Sequence, residues 1–263
     1  MKHATVWLLT LGLAGCDIKM PFSDSGGAGM CLDDFLELMA MDRDVLEAEA
    51  AERGISTGAF LDEVIDGGLS VADFLFDCSA SDALSELGDG TGGTFVQVGS
   101  VDELVSTLVS VTEQDKDKSQ DIAFMIDGTG SMSNDIEGVR DRLDDILEGL
   151  DPDEDRVSIA WYRDKHVDDP WYRRNNRGMM APDSAQLKNF LAGIDAKGGG
   201  DLPESLYDGA FKTLEEVDWE ARRRVLVVIT DAGATERDTH TAEDVVGLAS
   251  DESVEIVPIL VGL

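Results

Sequence analysis

The sequence predicts an α/β fold, a doubly wound and mostly parallel sheet flanked by helices, with a small helical segment ahead of it. Two observations carry this. Residues 122–126 (Ile-Ala-Phe-Met-Ile) and 225–229 (Val-Leu-Val-Val-Ile) are unbroken apolar runs of strand length, the character of strands buried on both faces. Around them apolar residues recur at helical spacing, so strands alternate with helices as crossover connections require. With 263 residues and 43% hydrophobic content the chain can bury one substantial core and a small second unit.

In chain order, residues 1–15 read as an export signal. Lys2 and His3 precede an apolar run over residues 4–13, too short to span a bilayer as an anchor. Leu13-Ala14-Gly15-Cys16 resembles the bacterial lipoprotein cleavage box. The resemblance implies lipid on Cys16, which would hold the mature chain at a membrane of a bacterial cell envelope, inner or outer. Residues 16–30 are rich in Gly and Ser and read as a flexible tether. Residues 31–77 show helical patterns, with Phe35, Leu36 and Met39 on one stretch and Phe60, Leu61, Val64 and Ile65 on another, and read as a helical cap. With Cys16 lipidated, Cys31 and Cys78 are left as an even pair in an oxidising compartment, either as a disulfide or as two buried thiols.

Residues 78–263 form the main domain. Ile136, Val139, Leu143, Ile146, Leu147 and Leu150 mark a helix after the first apolar run, and residues 157–162 a second strand. Leu187, Phe190, Leu191 and Ile194 mark one later helix, and Leu206, Ala210, Phe211 and Leu214 another. Before the first run lie a helix (residues 81–87), a strand (94–98) and a helix (101–108), while the chain stops on a strand at 254–261. Pro258 lacks a ladder donor and is expected to interrupt pairing there.

The formal charge of -34 excludes nucleic acid and anionic surfaces as favoured partners, since both would be repelled. Three stretches carry chemistry: Asp127-Gly-Thr129-Gly-Ser131, the loop Gly198-Gly-Gly-Asp201-Leu-Pro-Glu204, and Thr230-Asp231. The first and third follow the two buried-strand runs, so both fall at the carboxyl edge of a parallel sheet, where α/β folds bind ligands. Carboxylates and hydroxyls from separate loops suit a small hard cation that keeps several waters, Mg²⁺ first, with Mn²⁺ or Ca²⁺ as alternatives.

These residues resemble the von Willebrand factor type A domain, whose metal-ion-dependent adhesion site opens Asp-x-Ser/Thr-x-Ser. Asp127, Thr129 and Ser131 fit that opening and Asp231 the family's later aspartate. Trp161-Tyr-Arg-Asp164 and the glycine-rich loop are similar to a bacterial subgroup. Where many members place a metal-binding threonine the chain has Leu202, so Asp201 stands in as fifth ligand, with Glu204 a weaker candidate. The resemblance implies a membrane-anchored, Mg²⁺-dependent protein-binding module, not an enzyme, that captures an Asp or Glu of a partner protein. It also implies a circular permutation: the helix, strand and helix that normally close the domain precede its first strand here, and residues 94–98 should pair beside 254–261. A domain-swapped dimer or a remnant of a second copy are the competing arrangements.

The expected rim around the ion is basic and aromatic: Trp161, Arg163, Lys165, Trp171, Tyr172, Arg173, Arg174 and Arg177 stand out in so acidic a chain and match the composition of binding hot spots. Local salt bridging is the competing role. A second functional class is also open, because Asp127-Gly-Thr-Gly-Ser resembles the phosphorylated-aspartate motif of haloacid-dehalogenase-type phosphotransferases, in which Asp127 would be the nucleophile.

Overall fold

The computed structural model describes residues 30–31, 75–76, 78–115, 117–175, 178–198 and 204–262. The predicted cleavage box with Cys16, most of the tether and cap, Asp201, Leu202 and Arg177 lie outside the described residues, as do the side chains of Cys31 and Cys78. Strands β1 (Met30–Cys31) and β2 (Leu75–Phe76) pair in parallel as a two-stranded ladder. Among the described residues no helix is long and apolar enough to cross a membrane.

The main domain runs α1 (Cys78–Thr91), β3 (Val96–Val98), α2 (Val101–Glu113), β4 (Gln120–Asp127), α3 (Ser133–Asp141), α4 (Leu143–Leu147), β5 (Arg156–Tyr162), β6 (Tyr172–Arg174), α5 (Ala185–Ala192), α6 (Leu206–Glu216), β7 (Arg223–Thr230), α7 (Ala242–Glu252) and β8 (Glu255–Val261). Its six-stranded sheet has the order β3-β8-β7-β4-β5-β6, parallel except for β6. This is the predicted doubly wound α/β class.

Strand side chains alternate between two cores, as a period of two demands. Ile122, Phe124, Ile126, Val225, Val227 and Ile229 face α2, α3, α4 and α5. Ala123, Met125, Leu226 and Val228 face α1, α6 and α7. The second face is built with smaller residues, and α6 comes so close that a Cβ on Gly209 would lie 3.0 Å from the Tyr162 ring. Residues 136–150, expected as one helical pattern, divide into α3 and α4 at Arg142, whose φ of −111° and ψ of 12° leave the helical region.

The leading strand β3 lies on the sheet edge beside β8, with Val96 opposite Ile259 and Val98 opposite Val261. Pro258 explains why that ladder starts late: pairing with β7 runs through it, opposite Val228, but pairing with β3 begins only at Ile259. Upstream, the Thr91 hydroxyl accepts from the Ile256 N–H at 2.9 Å in place of a strand partner. Gly93 passes so close to β8 that a Cβ would sit 1.8 Å from the Ile256 carbonyl oxygen.

Strand β6 runs through the expected basic and aromatic rim and is an element that the sequence reading did not mark. Tyr172 turns its ring into the core and shares a hydrogen bond with Thr213 at 3.2 Å, while Arg173 points to solvent. Asn175 ends the strand, its Oδ1 accepting from the Ile159 N–H at 2.6 Å and the Ser158 hydroxyl at 2.9 Å. A three-residue strand gives too short an alternation to be read as one.

Candidate metal centre

Sheet register assembles the site. Asp127, last residue of β4, lies opposite Tyr162 of β5, and the pairing of Ile126 with Ile229 brings Thr230 to the same level on β7. Asp127 is fully buried. Its Oδ1 accepts from the Thr129 N–H at 2.9 Å and the Thr129 hydroxyl at 2.7 Å. Its Oδ2 accepts from the Thr230 hydroxyl at 2.8 Å and, at 3.5 Å, from that of Tyr162. Thr129 Oγ1 and Ser131 Oγ are 3.3 Å apart, and Ser131 also hydrogen-bonds Asp231. Asp127, Thr129, Ser131 and Asp231 therefore share one sheet edge.

Glu204 joins them from the approach to α6. Its backbone forms a parallel bridge beside Ala234: its N–H donates to the Gly233 carbonyl at 2.9 Å and its carbonyl accepts from Thr235 N–H at 2.8 Å. The side chain thus enters next to the loop that carries Asp231. Asp231 is 3% and Glu204 2% exposed, and Asp231 Oδ1 and Glu204 Oε2 are buried without a hydrogen-bond partner among the described residues.

The electrostatics follow from this burial. Desolvation raises the Asp127 carboxyl, and the hydrogen bonds from Thr129, Thr230 and Tyr162 oppose it. Burial, then the neighbouring Asp127 charge, push Asp231 up to about 8; burial, then Asp127 and Asp231, push Glu204 up to about 10. Burial takes Asp135, in the first turn of α3, to about 7, and its charge bears on Asp231. Among the described residues no group of three acid, histidine or cysteine side chains is assembled to hold a metal on its own. The converging donors are carboxylates together with hydroxyls.

The loops that carry these donors are stitched to each other. Gly128 N–H donates to the Tyr162 carbonyl at 2.8 Å, Lys197 N–H to the Gly128 carbonyl at 3.1 Å, and Gly130 N–H to the Gly198 carbonyl at 3.4 Å. Gly198 has φ of +78°, and a Cβ there would overlap the Asp168 carboxylate, so glycine is required. Arg163 donates from Nε to the Gly128 carbonyl at 2.8 Å and from Nη2 to the Asp195 carbonyl, with its guanidinium 4.3 Å from the Trp161 ring centre.

That arrangement corrects part of the expected rim. Trp161 and Arg163 are buried and brace the loop from beneath, so neither presents a surface to a partner. Lys165 is engaged with Asp208, and Arg174 lies 3.6 Å from Glu216. Trp171 is half-buried against Tyr172, and Arg173 is exposed. Sequence reasoning missed Tyr162 and Asp135. For Tyr162 the signal was position: it ends a buried-strand run at the level of Asp127.

A family model described as the von Willebrand factor A domain matches residues 121–263, more than half of the chain. No curated protein matches. Among solved structures, the pilus adhesin SpaC from Lactobacillus rhamnosus GG is similar in two crystal structures. One is 16% identical over 43% of this chain and 15% of that chain, with a TM-score of 0.34. The other, an open conformation, is 13% identical over 54% and 24%, with a TM-score of 0.40. The chain thus spans less than a quarter of the adhesin's length. The phosphotransferase alternative is not favoured, because both oxygens of a fully buried Asp127 accept hydrogen bonds and no accessible nucleophile remains. With the Asp-x-Thr-x-Ser opening and Asp231 gathered at one sheet edge, and the family model running from β4 to the last residue, the chain belongs to the von Willebrand factor A domain family.

Proposed function

We propose that this domain is a Mg²⁺-dependent protein-binding module of the bacterial cell envelope that captures an Asp or Glu of a partner protein. The observation that carries the reading is Asp231 Oδ1, a buried oxygen without a hydrogen-bond partner among the described residues, beside Asp127, Thr129 and Ser131. A buried carboxylate oxygen with no donor is costly unless a cation completes it. The donor set fits: two carboxylates and two hydroxyls are hard ligands for a small hard ion. Asp127, Thr129, Ser131 and Asp231 would hold it, with Asp201 as the fifth ligand from the glycine-rich loop. When bound, the ion supplies a positive charge with an exchangeable water position for an incoming carboxylate.

The chain's own residues do the rest. Arg163, Lys197 and Gly198 keep the Asp127 loop in place, while Trp171 and Arg173 offer the partner an aromatic and a cationic contact at the β6 edge. Mn²⁺ or Ca²⁺ would use the same oxygens. As a binding module the domain carries out no turnover. The box at residues 13–16 supports anchoring through lipid on Cys16, with residues 16–30 as tether and a Cys31–Cys78 disulfide beside it. The position of β3 beside β8 supports reading residues 78–263 as one circularly permuted domain. Calorimetric titration of the purified protein with MgCl₂ tests the core of the reading: binding heat is expected for the wild type and none for Asp127→Ala, and equal heats for both would end it.

A further inference from the structure

We infer that a cavity at the amino-terminal edge of the sheet, the edge opposite the proposed metal centre, binds a small soluble compound bearing phosphate. The cavity has a volume of about 390 Å³ and lies among the start of β7, the start of β8, the end of α7 and the loop from α2 to β4. Four cationic side chains line it, Lys118, Arg222, Arg223 and Arg224, against two acidic ones, Asp115 and Glu255. It is locally basic in a chain whose formal charge is -34. Arg223 is buried and donates to the Val111 carbonyl at 2.9 Å, near the end of α2, and Arg224 donates to the Glu252 carbonyl at 2.5 Å, at the end of α7. A helix end carries about half an elementary charge, so these carbonyls fix both guanidiniums in place and answer only part of their charge. Lys118 pairs with Asp115 at 2.7 Å, and Glu255 lies 4.0 Å from Arg223. Arg222 is exposed, and its guanidinium has no hydrogen bond or ion pair among the described residues.

The backbone gives an independent sign. Among the described residues the two non-glycine positions with positive φ are Asp115 at +55° and Ser253 at +54°, and both line this cavity. That conformation is uncommon outside glycine, and such strain gathers at ligand sites. Ser253 closes α7 where glycine is the usual residue, and its side chain brings an exposed hydroxyl to the cavity instead. Guanidinium forks and a hydroxyl together suit phosphate, a tetrahedral group whose oxygens accept from several donors at once. A compact ligand meets the local cations, because charges more than about 8 Å away are screened at physiological ionic strength. An extended anionic surface would meet the whole acidic chain and be repelled.

The test is calorimetric titration of the purified protein with sodium pyrophosphate, in metal-free buffer at constant ionic strength, beside a titration with citrate. Saturable pyrophosphate heat is expected, with citrate binding more weakly. A hydrogen bond to a charged group is worth about tenfold or more in affinity, so Arg222→Ala should weaken pyrophosphate by at least about that factor with its unfolding temperature unchanged. Lys188→Ala, which removes an equal charge from the exposed face of α5, should bind as wild type does. Ser253→Gly relieves the positive φ, so it should unfold at a higher temperature and yet bind pyrophosphate more weakly. Absence of saturable heat in the wild type, or an affinity in Arg222→Ala equal to wild type, would overturn the site, and equal affinities for pyrophosphate and citrate would overturn its assignment to phosphate. The outcome is independent of the Mg²⁺ reading, since no metal is present in the titration.

Discussion

The two ends of the sheet treat buried charge in opposite ways. At the amino-terminal end every buried acid is answered. Asp121, fully buried, accepts from Arg156 Nε at 2.8 Å and Nη2 at 2.7 Å, and from the N–H groups of Glu220 at 2.6 Å and Ala221 at 2.8 Å. Asp155 accepts from the N–H groups of Gln120 and Asp151, both at 2.8 Å. Arg223 reaches the Val111 carbonyl at 2.9 Å near the end of α2. At the carboxyl end Asp231 and Glu204 are buried to a similar degree, yet each keeps an oxygen without a donor among the described residues. The chemistry of the side chains is the same. What differs is whether the protein itself supplies a partner to each oxygen, and the two acids left short of one are those beside the proposed metal site.

Breaking the answered end should have the largest effect. Removing one partner of a buried hydrogen-bonded pair costs about 3–5 kcal/mol, because the other charge is stranded. Asp121→Ala leaves two N–H groups and the Arg156 Nε without their acceptor while Arg156 keeps Glu220 and the Asp218 carbonyl, and urea unfolding is expected to show a loss at the lower end of that range, unchanged by MgCl₂. At the other end the sign depends on the ion. Saturating Mg²⁺, at 100-fold above its dissociation constant, should stabilise the wild type by about 2.7 kcal/mol. Asp231→Asn should lose that gain while matching or exceeding wild-type stability in EDTA, since it removes an acid whose Oδ1 has no hydrogen-bond partner among the described residues. If Asp231→Asn and Asp121→Ala proved equally damaging in EDTA, the contrast between the two ends would disappear.

This contrast was half legible in the sequence. The strand runs at residues 122–126 and 225–229, and the acids and hydroxyls that follow them, announced the carboxyl edge because a parallel sheet aligns all its strand ends. The leading strand beside β8 was legible through the resemblance, which implied that residues 94–98 pair beside 254–261, as β3 and β8 do. The roles of Trp161 and Arg163 were not. Hot-spot composition suggested a surface, but β5 is an inner strand between β4 and β6, so its side chains are consumed by packing and by the Gly128 carbonyl. Glu204 was readable as an acid near the site, whereas the bridge to Ala234 that fixes it arises only in three dimensions. The Asp121–Arg156 pair has no local signature at all, being 35 residues apart in the chain.

A smaller effect sharpens the comparison by separating location from partnership. Asp208 lies on α6 toward the same carboxyl edge as Glu204, but its carboxylate is fully answered. Lys165 pairs with it, Thr239 N–H donates at 3.1 Å, and His240 donates from its N–H at 3.0 Å and its ring Nδ1 at 2.6 Å, with the imidazole stacked on Phe211. Burial raises the carboxyl, but these donors together outweigh it and hold Asp208 at about 2. Below its ordinary value of 3.8 the unfolded chain takes up a proton there and the folded chain does not. The stabilisation is therefore complete above the unfolded value and is lost as pH falls from about 4 toward 2. After allowance for solvent screening it should amount to on the order of 1 kcal/mol. Urea unfolding of wild type and Asp208→Asn between pH 2 and 6 in EDTA should show the two curves converging at the acid end and separating above it, with wild type the more stable. A constant gap across that range would mean that Asp208 acts by packing rather than by charge, and that partnership is not what distinguishes it from Glu204.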